Sequence, residues 1–517
     1  MPGAGISSST RSAGFGPVPV PVPGPSSPCR ATRISRVAWM PNPGPGFSRR
    51  ANFDTCAARA PRPRARSARR SSAVRIERGP RGATPIVYAA AKCRDVEVIE
   101  TLLDAGARID PCPRSDVSVI LAAARNPNPE ILRLLLARGA DLNACDLMGD
   151  SPLMQMIAFG APLHAIETLV DAGARLDTSS RRGWTAMHLA VDHRAGDGVL
   201  AQLLCAGGDV NIAGPGGVSP LSSALRANRD AADIALLLAA GAQVNGACDE
   251  GFTPLHHAAE RASDPLVIRM LIEAGADTGA TESGAGDTPC FRGVRANTNP
   301  EVVRELVRTC GGIARRDGRG MTRLHAAAAN NPSRRIIEVL LEEGADIDAR
   351  NWSDVTPLHC AACTNSSLET LDALLSAGAD PRRSSRAGPV LNLAVARKDA
   401  SPEYVARLID AGGSVTARDG DGVNALMAAV MCDAPTEVIR MLCERGAPCD
   451  EFVRGYTPLM VAVSVTSDPE VPRILLHFGA NPRTRSSEGL RAAEYVVHNR
   501  DLEGTPAFEL LRSRSRG

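Results

Sequence analysis

Four histidines, His188, His256, His325 and His359, and one Cys-x-x-Cys at Cys360 and Cys363 come closest in type and spacing to residues that do chemistry. Two thiols on one helical turn could cycle redox or take a metal, and His359 stands beside them. A structural zinc site needs four ligands, and no second close pair follows. The histidines recur at one position of a repeated segment, whereas a catalytic residue does not recur once per repeat. They read as hydrogen-bonded structural side chains, and the cysteines as small apolar residues. Glycine-rich pieces at Gly214-Pro215-Gly216-Gly217 and Gly284-Ala285-Gly286 lack the GxxxxGK(S/T) loop that cradles phosphate, and neither GxSxG nor HExxH occurs. The expectation is a protein that is not an enzyme, with no catalytic residue, cofactor or metal.

The segment that carries the histidines recurs throughout. TPIVYAA, SVILAAA, SPLMQMI, TAMHLAV, SPLSSAL, TPLHHAA, TPCFRGV, TRLHAAA, TPLHCAA, PVLNLAV, NALMAAV, TPLMVAV and RAAEYVV begin at residues 84, 118, 151, 185, 219, 253, 288, 322, 356, 389, 424, 457 and 491. The mean period is about 34 residues, in the range of thin helical repeats. Thr at the start of a unit can cap a helix, and Pro fits the first helical turn, where no N–H bond is lost. An aliphatic second helix follows, as in Ile336-Ile337-Glu338-Val339-Leu340-Leu341, and then a glycine such as Gly344, suited to a left-handed C-cap. Asp-x-x-Gly stretches supply the turns of a projecting hairpin. Between the helices many units read Asn-Pro, Asp-Pro or Ser-Pro: Asn128-Pro129, Asp264-Pro265, Asn299-Pro300, Asn331-Pro332, Ser401-Pro402 and Asp468-Pro469. The pattern predicts a capping side chain followed by Pro at the first helical position.

Thr253-Pro254-Leu255-His256 and Thr356-Pro357-Leu358-His359, with Gly-Ala-Asp at Gly275-Ala276-Asp277, Gly344-Ala345-Asp346 and Gly378-Ala379-Asp380, resemble the ankyrin-repeat family. The resemblance implies an all-α repeat solenoid of helix-turn-helix units, each with a β-hairpin or loop. It also implies a non-catalytic protein-protein interaction scaffold, or adaptor, with two contact zones: the hairpin tips and the concave face of the first helices. The expected organisation is a Pro/Gly/Ser/Arg-rich disordered leader at 1–82, twelve repeats over 83–490, and a partial terminal repeat or cap with a basic tail over 491–517.

On the first helix the fifth and eighth residues of each unit share a face. That face is polar in the middle of the array, through Asp192, Arg226, His257, Glu260, Arg292 and Arg295, and bland later. Repeats 4–7 are therefore the expected discriminating groove, against a merely solvated face. Aromatics, only 3% of the chain, collect beside the hairpins: Trp184, Phe252 and Tyr456 just before the next unit, with Trp352 and Phe452 nearby. They are candidate anchors, as are Arg181, Arg182, Arg316 and Arg319 at comparable tips. The alternative is that the rings pack on the adjoining hairpin. Arg-rich and acidic tips alternate, which suits a mixed-charge protein partner rather than a phosphate track. Repeat 7 (TPCFRGV) puts Gly and Val where an Ala pair is expected, and repeat 10 lacks one residue before its motif. Poor consensus is expected to weaken one of those junctions.

Fifteen arginines against Asp54 and Glu77 give the first 82 residues +13, which leaves −11 for the rest of a chain whose net charge is +2. Such a leader buries too little apolar surface to offset ordering entropy. Arg59–Arg70 resembles a nuclear-localisation or nucleic-acid-binding tract, the Arg/Ser composition resembles an organelle transit peptide, and Met40 is an alternative start. Fourteen scattered cysteines favour a reducing compartment, and no apolar run of membrane-spanning length occurs, so an intracellular, cytoplasmic monomer is expected. Two further functions compete with the scaffold. One is a substrate-recognition subunit of a ubiquitin ligase, as in the large viral ankyrin proteins with an F-box-like C-terminus, a module for which the sequence after Gly489 leaves no room. The other is nucleic-acid binding through residues 59–70.

Overall fold

A computed structural model describes residues 84–517 apart from 110–118, 125, 193–195, 197, 285, 366, 398, 467, 497–498, 500–503 and 517. The expectations for the leader, including its disorder, the basic tract at 59–70 and the alternative start at Met40, lie outside the described residues. The described residues belong to one unit, Arg75–Gly517.

Each repeat folds as two short helices, such as Pro254–Arg261 with Pro265–Glu273 and Pro357–Thr364 with Leu368–Ser376. First helices pack on first helices of the next repeat, and second helices on second helices. The third motif residue is the first helix's anchor: Leu153, Leu221, Leu255, Leu324, Leu358, Leu426 and Leu459 are fully buried. Ile336, Ile337 and Leu340 do the same from the second helix. Each such side chain contributes roughly 1.5–3 kcal/mol on leaving water. Neighbouring repeats supply much of that cover, so the units depend on stacking. Cys290, Cys310, Cys360 and Cys443 lie within this core, as small apolar residues do.

The second helix ends as its sequence predicts. Gly344 takes φ +91° while Ala345 N–H donates to the Leu340 carbonyl at 2.9 Å, satisfying an otherwise orphan C-terminal acceptor. Beyond it the hairpins are mostly loop. The described residues hold one pair of two-residue strands, Ser384–Ser385 with Gly388–Pro389, and isolated bridges such as Arg316 with Thr322. Asp317 shapes a typical tip by accepting from the N–H groups of Arg319 and Met321, each at 2.8 Å.

The segment between the helices is built differently from the expectation at two points, one being that helix Glu470–His477 begins after Pro469 rather than with it. Asn128, Asp264 and Asn299 cap the second helix through their side chains, with Pro at its first position. Asn331 does not: the helix Arg334–Glu342 begins after Ser333, with Pro332 outside it. Asn331 instead belongs to a buried asparagine ladder that sequence reasoning missed. Asn126, Asn297, Asn331, Asn365 and Asn499 are each at most 8% exposed. Their Nδ2 groups donate to carbonyls of the preceding repeat, as from Asn331 to Val294 at 3.0 Å and Asn297 at 2.8 Å. Asn365 repeats this on Ala328 and Asn331 at 3.0 and 2.9 Å. Oδ1 meanwhile accepts a local N–H, as from Ser333 to Asn331 at 3.0 Å. Each asparagine thus pays for its burial by tying two repeats together.

Repeat 7 is tightly packed. A Cβ placed on buried Gly293 would come within 2.5 Å of Leu306 Cδ1 and 3.2 Å of the Ala259 carbonyl oxygen. The glycine lets helix Pro289–Ala296 approach helix Pro254–Arg261, so the departure from consensus here marks close packing. Two helices, Ala492–Tyr495 and Pro506–Arg516, complete the described chain, the second burying Ala507 and Leu511.

Candidate protein-binding face

The recurring histidines set the frame on which the candidate face is mounted. Thr322 N–H donates to His325 Nδ1 at 3.1 Å, and the Thr322 hydroxyl lies 2.7 Å from the same nitrogen. A backbone N–H can only donate, so Nδ1 is the acceptor and the proton sits on Nε2. Nε2 then donates to the Val355 carbonyl of the next repeat at 2.9 Å. His188 reaches Val218 at 2.9 Å and His256 reaches Asp287 at 3.0 Å in the same way. These rings are buried and structural, as their recurrence implies. Burial pushes their pKa values below the usual histidine range, opposed by the carbonyl each meets. In repeat 10 Asn392 takes the place of the histidine and donates to Val423 at 2.8 Å.

His359 breaks the pattern. Its Nδ1 receives Thr356, but Nε2 is buried and makes no hydrogen bond to the protein. Burial lowers the pKa to about 4, opposed by the Gly388 and Arg383 carbonyls, which act on the ring from outside normal hydrogen-bond geometry. His325 finds its carbonyl thirty residues on, whereas the equivalent Gly388 carbonyl belongs to the hairpin that is one residue shorter before Pro389.

On this frame the described eighth residues of the first helices are half-buried or exposed while several fifth residues, Ser223 among them, are buried, and repeats 5–7 bring five of the predicted residues together. Arg292 pairs with Glu260 across the repeat boundary at 2.8 Å, and its guanidinium carbon stands 4.9 Å from the centre of the Phe252 ring. A cation over an aromatic face contributes roughly 0.5–1 kcal/mol at such a site. Arg295 pairs with Asp287 at 2.7 Å. Arg226, Ala227, Asn228, Glu260, Arg261 and Ala296 line an open groove of about 490 Å³. Beside it His257 has its pKa lowered to about 3, first by burial and then by the charges of Arg226, His256, Arg292 and Arg261. Three side-chain atoms of this face are buried without a hydrogen bond to the protein: Ser223 Oγ, His257 Nε2 and Arg295 Nε. Asp192, one repeat earlier, is exposed, and its charge acts on His188.

The tip residues divide. Trp184 sets its edge against His188 at 5.6 Å between ring centres, and Phe252 packs on both His256 and His257 at 5.7 Å. Tyr456 donates its hydroxyl to Glu488 at 2.8 Å and meets the Tyr495 ring at 6.0 Å. These three half-buried rings therefore pack on their own framework. Trp352 and Phe452 are 64% and 51% exposed, Trp352 lying across Gly320 of the preceding tip. Arg316 donates to the carbonyls of Gly320 and Arg350 at 2.8 and 2.7 Å, stitching adjacent tips together. Arg181, Arg182 and Arg319 are exposed. The acidic tips are partly matched from within, since Arg454 pairs with Asp421 at 2.6 Å and Arg418 with Glu451. No helix of the described residues is long and apolar enough to cross a membrane.

Comparison with known proteins agrees with this construction. The family model described as three copies of the ankyrin repeat matches residues 119–213, 194–282, 291–385 and 391–486, and a single-repeat model matches 81–114. An ankyrin repeat-containing protein of Treponema pallidum (strain Nichols) is 34% identical over 112 residues, which are 21% of this chain and 37% of that protein. The chain thus aligns with little more than a third of that relative. Among solved structures, the ankyrin repeat domain of Bcl-3, a member of the IkappaB family, is 25% identical with a TM-score of 0.38, covering 44% of this chain and 99% of that one. The human ASB11 ankyrin repeat domain is 21% identical with a TM-score of 0.36, covering 50% and 98%. With well over half of its residues matched by the family models, the chain belongs to the ankyrin-repeat family.

Proposed function

We propose that this protein is a non-catalytic scaffold or adaptor that binds a partner protein on the first-helix face of repeats 4–7, with the adjoining tips of Trp352 and Arg319 as a second zone. The observation that carries the reading is the conjunction on one face of an open groove, charged side chains from three successive repeats, and three buried polar atoms with no hydrogen bond to the protein. Polar atoms outside the protein's own hydrogen-bond network are available to the groups of a partner. Interfaces commonly hold their energy in a few such clustered residues, with Arg and aromatic side chains enriched among them.

Proximity labelling with the full chain, residues 83–517, an Arg292→Glu variant, and a variant with Trp352 and Arg319 changed to Ala tests this. Partners should persist without the leader and fall at least tenfold with Arg292→Glu, which sets two carboxylates against each other at Glu260. Partners lost only in the Trp352→Ala/Arg319→Ala variant would be assigned to the second zone. Partners that depend on residues 1–82 and vanish steeply with salt would replace the reading with nucleic-acid binding through the leader. Recovery of ligase subunits with the full chain would favour the substrate-recognition role.

A further inference from the structure

The groove between the first helices of repeats 5 and 6 has a chemistry of its own. Ser223 and Arg226 lie on helix Pro220–Arg226, His257, Glu260 and Arg261 on helix Pro254–Arg261, and Arg292 on helix Pro289–Ala296. Three guanidinium groups act on the His257 ring, while Glu260 is the acidic side chain lining the groove. Glu260 is engaged by Arg292 at 2.8 Å and by Arg261 at 3.7 Å. Among the described residues the groove lining thus sets Arg226 and Arg261 beside a single carboxylate.

We propose that this groove receives the carboxylate side chain of an Asp or Glu in an acidic segment of the partner, held by Arg226 and Arg261 and hydrogen-bonded by Ser223 and His257. This rests on the reading that repeats 4–7 form the binding face. Ser223 is 4% exposed, and its hydroxyl makes no hydrogen bond to the protein, nor does His257 Nε2. A neutral imidazole and a hydroxyl can each give a hydrogen to a carboxylate oxygen, and guanidinium groups grip the same oxygens in pairs. Both atoms are buried in the free protein, behind the residues that line the groove, so binding requires the long arginine side chains to reorient and expose them. Glu260 in the same groove opposes the dianion of a phosphate and suits a single carboxylate. The groove is open along the face, which admits a passing segment rather than requiring a chain end.

A random dodecapeptide display library selected on the full chain supplies the probe. Recovered peptides should be rich in Asp and Glu. Synthetic copies with each Asp or Glu changed to Asn or Gln should bind at least tenfold more weakly, and amidation of the peptide C-terminus should change affinity less than twofold. An Arg226→Gln/Arg261→Gln variant should lose a similar factor while keeping its helical circular-dichroism spectrum. Ser223→Ala should weaken binding about threefold yet fold at least as stably, because the hydroxyl makes no bond in the free protein. Peptides that protect repeats 5–7 from hydrogen exchange but bind equally as amide copies overturn the carboxylate and leave the face intact. Affinity lost on C-terminal amidation overturns the side-chain source. Peptides that protect other repeats, or none recovered at all, overturn both readings.

Discussion

At the scale of residues, one hydrogen bond separates two histidines that look identical in sequence. His325 receives Thr322 on one nitrogen and gives its other proton to Val355, so replacing it strands a donor and an acceptor. His359 receives Thr356 but gives its second proton to nothing in the protein. A buried polar group left unmatched costs roughly 1–3 kcal/mol. His325→Leu should therefore destabilise the chain by about 1–2 kcal/mol more than His359→Leu, read from urea unfolding midpoints at pH 7.5. Equal losses would mean that Gly388 does accept from His359 in solution. The recurrence of Thr-Pro-Leu-His was enough to assign these rings a structural role. The missing residue before Pro389 was equally visible, but not the bond that His359 lacks, because that depends on where the next hairpin places one carbonyl.

At the scale of elements, the same contrast decides between the two irregular repeats. Departure from consensus at repeat 7 and repeat 10 looks alike in sequence, yet Gly293 closes a helix contact, whereas ahead of repeat 10 His359 Nε2 is left without a hydrogen bond to the protein. Gly to Ala inside a helix ordinarily stabilises by up to about 1 kcal/mol. Here the added methyl would meet Leu306, which can give, and the Ala259 carbonyl, which cannot give readily. Gly293→Ala should lower stability by about 1–3 kcal/mol, as overpacking does, and reduce exchange protection in helices Pro254–Arg261 and Pro289–Ala296. A rise in melting temperature would refute the close-packing account. Helix positions and their caps were legible from period and end signals. The asparagine ladder was not, since Asn331-Pro332 has the same letters as the capping Asn299-Pro300 while Asn331 does a different job. The candidate face was legible as a stripe of residue types, but its pairing of Arg292 with Glu260 needed the distance between successive repeats.

At the scale of the whole molecule, the histidines are unevenly distributed, and that has a consequence for how the array responds to acid. The fourth motif position is His in repeats 4, 6, 8 and 9, while repeats 1, 2, 3, 11 and 12 carry Val87, Leu121, Met154, Met427 and Met460 there. All four histidines, with His257, are held below the usual value of 6.5, His359 to about 4 and His257 to about 3. A base with a depressed folded pKa takes up protons in the unfolded chain first. Its contribution is thus fully present above about 6.5 and is lost as pH falls toward the folded values. Between pH 7 and 5 ordinary carboxylates remain ionised in both states, so the histidines dominate the slope. Repeat arrays gain stability locally, from each unit and its neighbours, so the loss should be local as well. Lowering the pH from 7.5 to 5 should reduce hydrogen-exchange protection in repeats 4–9 well before repeats 2–3 and 11–12. The proposed binding face lies inside the softened stretch, so partner affinity should decline over the same window even where the ligand's own groups do not titrate. No loss would mean that the unfolded histidines are shifted as far as the folded ones, and a uniform loss that the array opens as one cooperative unit rather than locally.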